Sequence, residues 1–445
     1  MVRTQGRILA MTTKFIRFTQ RARGLMRERF NSLMGLLCER EALRESFERQ
    51  VKSKAPGVDG IRKEDYGVGL EERLVKLSDR LRRLGYLPKP ARRVYIPKGD
   101  GRTRPLGIPS FEDRLVQDRL SAILQAIWEP EFLNCSYGSR PDRDAHQALR
   151  RVEEIITRER TQWVVEADIQ GFFDHVCHTH MMRFLEHRIS DKRLLRIVWR
   201  FLKAGVMEDG MWRASEMGTP QGGLVSPVLA NIYLHYVLDL WFEKRFKKNC
   251  RGKAHLVRYC DDFIACFENQ EDARNFLSAL AERLAGFSLE VEPSKTAMLR
   301  FGSEALREGL KDGLNRPQTF NFLGFTHFVS RSRRGHFAVG RKTEGKRIIK
   351  KLKLLNERLR ALRIEGGKAM MVHVQQHLRG HIQYYGISGN TRSLRKYYYF
   401  ALKLLFKWLN RRSQKRSITW ARYWSVMPPR MPRARIVHRL YPTTV

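Results

Sequence analysis

Leu256-Val257-Arg258-Tyr259-Cys260-Asp261-Asp262-Phe263-Ile264-Ala265-Cys266-Phe267 sets two adjacent carboxylates between two runs of apolar, β-prone residues. The pattern predicts a hairpin with the Asp pair at its tip. Adjacent acids repel, and a bound cation removes that penalty. Hard divalent cations such as Mg²⁺ take oxygen ligands, commonly one or two carboxylates plus substrate phosphates. A solvated Asp-Asp turn has the same dipeptide, so a metal site needs further parts elsewhere in the chain.

Those parts are present. Trp163-Val164-Val165-Glu166-Ala167-Asp168 reads as a short strand ending in an acid. Asp168, Asp261 and Asp262 together suit two Mg²⁺ ions, one serving the attacking and one the leaving oxygen of a phosphoryl transfer. Lys98 and Arg104 lie on a basic loop between expected strands at 94–97 and 105–108. A fork and a point charge so placed suit a triphosphate, although an ordinary exposed turn has the same composition.

Around this centre the chain reads as mixed. Residues 1–50 look helical, and Pro56-Gly57-Val58-Asp59-Gly60 is a turn. Helices are expected at 70–84, 114–128, within 178–204, at 226–246 and at 271–284. Gly218-Thr219-Pro220-Gln221-Gly222-Gly223 is a Gly-rich turn opening the helix at 226. Strands are expected at 287–291 and 320–325. The order strand, helices, hairpin, helix, strand implies an α/β layer with a partly antiparallel sheet. After about 340 the pattern is helical and basic to 412. The Pro-bearing end from 427 is expected to be extended and surface-lying.

Composition restricts the partners. The 445 residues hold 85 Lys and Arg against 46 Asp and Glu, a formal charge of +39. Such a surplus points to nucleic acid, with an anionic membrane surface as the alternative. From Gly366 to Val445 there are 16 Lys and Arg and no Asp or Glu. Tyr384, Tyr385, Tyr397, Tyr398, Tyr399, Trp408, Trp420, Tyr423 and Trp424 are interleaved with them. Basic residues among aromatics suit a surface that follows phosphates and stacks on bases, though core packing is the favoured role for the rings. No apolar run is long enough for a membrane helix. The N-terminus lacks a secretory pattern. The six Cys form no C-x-x-C pair, which points to a reducing, cytoplasmic setting.

Successive blocks now carry a resemblance. Ala167-Asp168-Ile169-Gln170-Gly171-Phe172-Phe173-Asp174, the 218–223 turn with Ser226-Pro227, and Arg258-Tyr259-Cys260-Asp261-Asp262 resemble reverse-transcriptase motifs in order and spacing. The fullest likeness is to bacterial group II intron-encoded reverse transcriptases, or maturases. Pro56 to Gly60 and Ile96-Pro97-Lys98 through Gly107-Ile108-Pro109 resemble that family's first two blocks. Pro293-Ser294-Lys295-Thr296 and Phe322-Leu323-Gly324-Phe325 resemble its last two. Leu378-Arg379-Gly380-His381, Tyr384-Tyr385-Gly386 and the 408–414 segment resemble its thumb or maturase region.

The resemblance implies an α/β right-hand polymerase with fingers, palm, helical thumb and a basic C-terminal DNA-binding tail. The implied division is an N-terminal extension at 1–50, fingers and palm at 51–325, thumb at 326–412 and tail at 413–445. It implies Asp168, Asp261 and Asp262 as metal carboxylates for two Mg²⁺ ions. Lys98 and Arg104 would meet the incoming dNTP. Phe173 would exclude a ribose 2′-hydroxyl, with core packing as the alternative. Gln221 would contact the nucleotide or template. Lys295 would donate a proton to, or stabilise, the leaving pyrophosphate, unless it is structural. The implied partners are group II intron RNA or another RNA template, a DNA primer or target, and dNTPs.

Some positions depart from the pattern. Cys260 stands where similar proteins commonly have Ala, and Ser139 and Asp142 where they more often have Phe and Gly. No His/Cys-rich nuclease module follows the basic tail, so the endonuclease-lacking type is expected. Two rival readings share these features: a domesticated reverse transcriptase in phage defence or repair, and an RNA-binding splicing factor whose polymerase is vestigial.

Overall fold

In the computed structural model the described residues are 13–24, 28–97, 103–219, 222–311, 318–332, 334–411 and 418–440. Strands β1 (Ala91–Pro97), β2 (Thr103–Ile108), β3 (Trp163–Asp168), β4 (Val206–Glu208), β5 (Met211–Arg213), β6 (Ala254–Tyr259), β7 (Asp262–Phe267), β8 (Ala297–Arg300), β9 (Phe320–Phe322), β10 (Phe325–Arg331) and β11 (Phe337–Thr343) form three sheets. The chain is therefore α/β, as expected.

The central sheet has the order β6-β7-β3-β8, with every neighbouring pair antiparallel. Side chains alternate across it with a period of two. Along β7, Phe263, Ala265 and Phe267 enter one core, while Ile264 and Cys266 enter another. On β3, Val165 and Ala167 join the first core and Val164 the second. Both faces are thus covered, which explains the nearly continuous apolar runs in these strands.

The first core packs the helices Phe111–Trp128 and Ser226–Leu234 against the sheet. The longer of the two is buried almost all round, and Ser110 caps it by accepting the Asp113 N–H at 3.2 Å. The helix after Ser226 continues through two π-helical turns, His235–Asp239 and Phe242–Phe246. The second core joins the helix Ala145–Arg158 to the sheet β11-β10-β9. A third lies among the helices Gly345–Ala361, Gly367–Tyr385 and Thr391–Asn410.

Several expectations change. The 320–325 strand is two strands, because Leu323 (φ 50°) and Gly324 (φ 81°) make a hairpin turn with both central residues at positive φ. Asp209 (φ 49°) and Gly210 (φ 78°) do the same between β4 and β5. That hairpin extends the β1-β2 pair into a four-stranded sheet, β2-β1-β4-β5. The segment 287–291 is not a strand: Ser288 has φ 58°, and only Val291 bridges to Ile169.

The C-terminal segment from 427 lies along the surface as expected but is anchored there: among its described residues Met427, Met431 and Leu440 are buried and those between them are half-buried or exposed. Tyr423, Met427 and Met431 are buried in the third core. Farther on, the Val437 and His438 N–H groups donate to the Gly386 carbonyl at 2.6 and 2.9 Å. Leu440 is fully buried in the second core. Pro spacing suggested an extended path, which is correct locally, but the apolar residues between the prolines anchor that path to two cores. Leu440→Ala should therefore destabilise the protein by about 3 kcal/mol. The measurement is a lower urea midpoint for the variant.

Candidate active site at the end of the central sheet

The register of the sheet builds the site. Asp168 ends β3 and stands directly opposite Asp262, the first residue of β7. Tyr259 pairs with Asp262 across β6 and β7, so Cys260 and Asp261 form a two-residue turn. Asp168, Glu166 and Asp262 share the parity of Val164 and Ile264, so they face the same side. Like charges directly opposite each other in a ladder are destabilising. Burial, then Asp261, Asp168 and Glu166, push the Asp262 carboxyl up to about 7. Asp261 is also raised, first by burial and then by Asp168. Glu166 is pushed up to about 7, mainly by burial. Three cations oppose this: Arg104 and Arg258 favour the Asp261 carboxylate and Arg347 that of Asp262.

Lys295 is brought in by the backbone. The Glu292 N–H donates to the Asp168 carbonyl at 2.8 Å, and the Gln170 N–H to that of Glu290 at 2.9 Å. The short 3₁₀ turn Pro293–Lys295 follows, and the Lys295 ammonium forms an ion pair with Asp168. Residues 127 apart in sequence thus meet at one strand end.

The acid set suits a hard divalent cation: its donors are carboxylate oxygens, and their mutual repulsion falls when positive charge sits between them. Among the described residues, no three His, Cys, Asp or Glu side chains are drawn tightly enough to enclose a metal. Mg²⁺ does not require such a cage, since it usually keeps waters and takes substrate phosphates as ligands.

Phe173 follows Gly171, whose φ of 53° turns the chain from β3 into a short helix. Its ring is half-buried and meets Phe172 edge-on at 5.3 Å. The Phe173 carbonyl accepts the Thr219 N–H at 2.8 Å, and His178 Nε2 donates to the Gly218 carbonyl at 2.7 Å. A Cβ on Gly218 would lie 2.8 Å from the Phe173 carbonyl oxygen, so only glycine allows this approach. The Gly-rich turn is therefore held beside Phe173. Farther along, Gly222 packs on the Gly107 carbonyl of β2. Arg104, in β2 and opposite Ile96, is exposed. Lys98 and Gln221 lie outside the described residues.

Other residues join the site without a sequence signal of their own. Glu166 was visible only as part of a strand. Arg347 sits far along the chain in a basic helix that carries many such residues. Gly138 touches the turn so closely that a Cβ would lie 2.4 Å from the Cys260 nitrogen. Asp142 has φ 55°, a left-handed position natural for Gly that Asp tolerates.

Comparison with known proteins gives the family. Residues 96–327 match the family "Reverse transcriptase (RNA-dependent DNA polymerase)". Protein YkfC of Escherichia coli is 40% identical over 333 residues, covering 70% of this chain and 86% of that protein. Group II intron-encoded protein LtrA of Lactococcus lactis is 38% identical over 200 residues, covering 44% of this chain and 33% of LtrA. An uncharacterized 91 kDa protein in the cob intron of Schizosaccharomyces pombe is 28% identical over 373 residues, covering 71% of this chain and 45% of that protein. Strand-end acids flanking a tight turn and these similarities lead to one conclusion: the chain belongs to the reverse transcriptase (RNA-dependent DNA polymerase) family and is similar to group II intron-encoded members of it.

Proposed function

We propose that the protein extends a DNA primer on an RNA template with dNTPs, using two Mg²⁺ ions, and that it binds its group II intron RNA to assist splicing and mobility. Reverse transcriptases generally use divalent metal ions. The observation that carries the reading is the in-register opposition of Asp168 and Asp262 with Asp261 in the intervening turn.

Bound there, Mg²⁺ would lower the pKa of the primer hydroxyl and neutralise charge on the phosphates. Asp168, Asp261 and Asp262 are the residues that would hold it. Arg104, with Lys98, orients the triphosphate by charge-assisted hydrogen bonds. Lys295, already beside Asp168, is suited to supply a proton or charge as pyrophosphate leaves. Gln221 contacts the nascent pair. Most of the barrier reduction comes from positioning and from fixed charge.

In this reading the β1-β2 sheet belongs to the fingers and the central sheet to the palm. Residues 326–412 form the thumb, 1–50 an N-terminal extension, and 413–445 contact DNA. The surplus of 39 positive charges supports an RNA partner. All six cysteines are free thiols, in keeping with a cytoplasmic setting. Among the described residues no helix is long and apolar enough to cross a membrane.

The test is primer extension by the full chain on an RNA template with Mg²⁺, together with splicing of the RNA that flanks its reading frame. Extension plus faster splicing supports both halves. Extension alone retains the polymerase and removes the intron role. Splicing help without extension identifies a splicing factor with an inactive polymerase.

The half-buried Phe173 ring allows a separate check. Phe173→Ala should reduce discrimination against ribonucleotides by about tenfold or more, because the clash with the 2′-hydroxyl is lost. The ratio of kcat/KM for dNTP and rNTP measures it. An unchanged ratio would make the ring a core-packing element only.

A further inference from the structure

The turn that carries Asp261 is held from behind by one buried guanidinium. Arg258, the penultimate residue of β6, has no exposed surface, and neither has Asp239. Arg258 Nε donates to Asp239 Oδ1 at 2.7 Å and Nη2 to Oδ2 at 2.6 Å. Nη2 also donates to Ser136 Oγ at 2.8 Å. Nη1 donates to Asn231 Oδ1 at 3.0 Å and to the Cys260 carbonyl at 2.9 Å. A guanidinium has five N–H donors, and here five acceptors meet it.

The acceptors come from three parts of the chain. Asn231 and Asp239 lie on the long helix after Ser226, with Asp239 closing the π-helical turn His235–Asp239. Such turns shift side chains off the regular helical spacing and recur at functional sites. Ser136 lies in a segment joined to Arg258 by a single parallel bridge. There Tyr137 N–H donates to the Arg258 carbonyl at 2.8 Å, and Arg258 N–H to the Cys135 carbonyl at 2.7 Å. Asn231 Nδ2 donates in turn to the Gly138 carbonyl at 2.8 Å. Gly138 then packs directly on the Cys260 backbone, and Ser139 Oγ is 3.3 Å from Cys260 Sγ.

This clamp grips an unfavourable conformation. Cys260 has φ 58°, in the left-handed region that costs a non-glycine residue conformational energy. A small residue held there by its carbonyl, with its neighbours fixed in the ladder, leaves the Asp261 carboxylate little freedom of direction. We propose that Arg258, aligned by Asp239 and Asn231, is a positioning residue for polymerisation: through the Cys260 carbonyl it fixes the turn and so aims the Asp261 and Asp262 carboxylates. The proposal rests on the reading that these acids hold the divalent cations.

Three variants test it. Arg258→Lys keeps the charge but has too few donors for all the acceptors. Asp239→Asn keeps the shape. The Arg258→Met/Asp239→Leu double variant leaves no buried charge and is expected to fold, as charge-free replacements of buried pairs often do. Wild type and Asp261→Ala serve as references. For each protein, melting temperature, template–primer affinity, kcat and KM for dNTP, and Mn²⁺ affinity by the signal of the free ion are measured.

The expected result is a fall in kcat of about tenfold or more, with template–primer affinity retained, because small misplacements of reacting groups are costly. Mn²⁺ affinity falls severalfold in the same variants, including the double variant that melts near the wild-type temperature. Folded variants with wild-type kcat and Mn²⁺ affinity would overturn the proposal. So would a loss of activity matched by the unfolded fraction alone, or the unfolding of all three variants, since the network would then serve stability. Failure of the underlying reading looks different: wild type does not extend primers, or Asp261→Ala still does.

Discussion

Asp261→Ala is expected to remove primer extension, by a factor of about 10³ or more, while leaving the fold intact. Asp261 lies in the turn between β6 and β7, outside the hydrogen-bonded ladder. Truncating it removes no strand pairing and no core contact. It does remove one member of an acidic group in which burial and neighbouring acids already raise Asp262 to about 7. Loss of a repelling charge should leave the melting temperature unchanged or slightly higher, a common trade of stability against function. Template–primer affinity should be retained, since basic residues elsewhere provide it. Asp261→Asn separates shape from charge and should be nearly as inactive, because a neutral amide is a weak ligand for a hard cation. Primer extension with either variant is the measurement. Retention of more than about a tenth of wild-type activity would move the metal ligands elsewhere.

Asp239→Ala carries the largest expected effect on stability. Its carboxylate and the Arg258 guanidinium are both fully buried and joined by two hydrogen bonds, at 2.7 and 2.6 Å. Removing one partner of such a pair leaves an uncompensated buried charge and typically costs about 3–5 kcal/mol. Surface pairs in the same protein provide the contrast. Lys76 and Glu72 pair with side chains 69% and 71% exposed, and removing that pair should change stability little. Urea unfolding of Asp239→Ala and Glu72→Ala compares the two. Equal midpoints would mean that water reaches Arg258 and relieves its charge.

Much of the site was legible because local chemistry repeats at short range. Asp261-Asp262 between apolar runs marks a hairpin in sequence and in structure, with the turn itself at Cys260-Asp261 and Asp262 opening β7. Asp168 ends a strand in both. Lys295 was singled out from its block alone, and the structure pairs it with Asp168. Other features carry weaker local signals. Asp209-Gly210 is a strong hairpin signal, yet its strands have only three residues each and little periodicity to mark them. Leu323-Gly324 was hidden in a continuous apolar run, since a leucine at positive φ is not what turn chemistry suggests. The anchoring of the tail is hidden for a related reason: proline reports backbone path, and burial of Leu440 depends on what that path meets.

The sequence by itself determined the kinds of element, the strand-end and turn positions of the acids, the basic surplus and the order of the family's blocks. These depend on residue type and short spacing, which act through dihedral preference, periodicity and charge. Tertiary structure alone decided that Asp168 faces Asp262 rather than a neighbour one residue away, because register is set by both packed faces of the sheet. It alone decided that Arg258 closes on Asp239, Asn231, Ser136 and the Cys260 carbonyl. A buried guanidinium must find every acceptor it needs, and no local pattern in the chain says where those acceptors will come from.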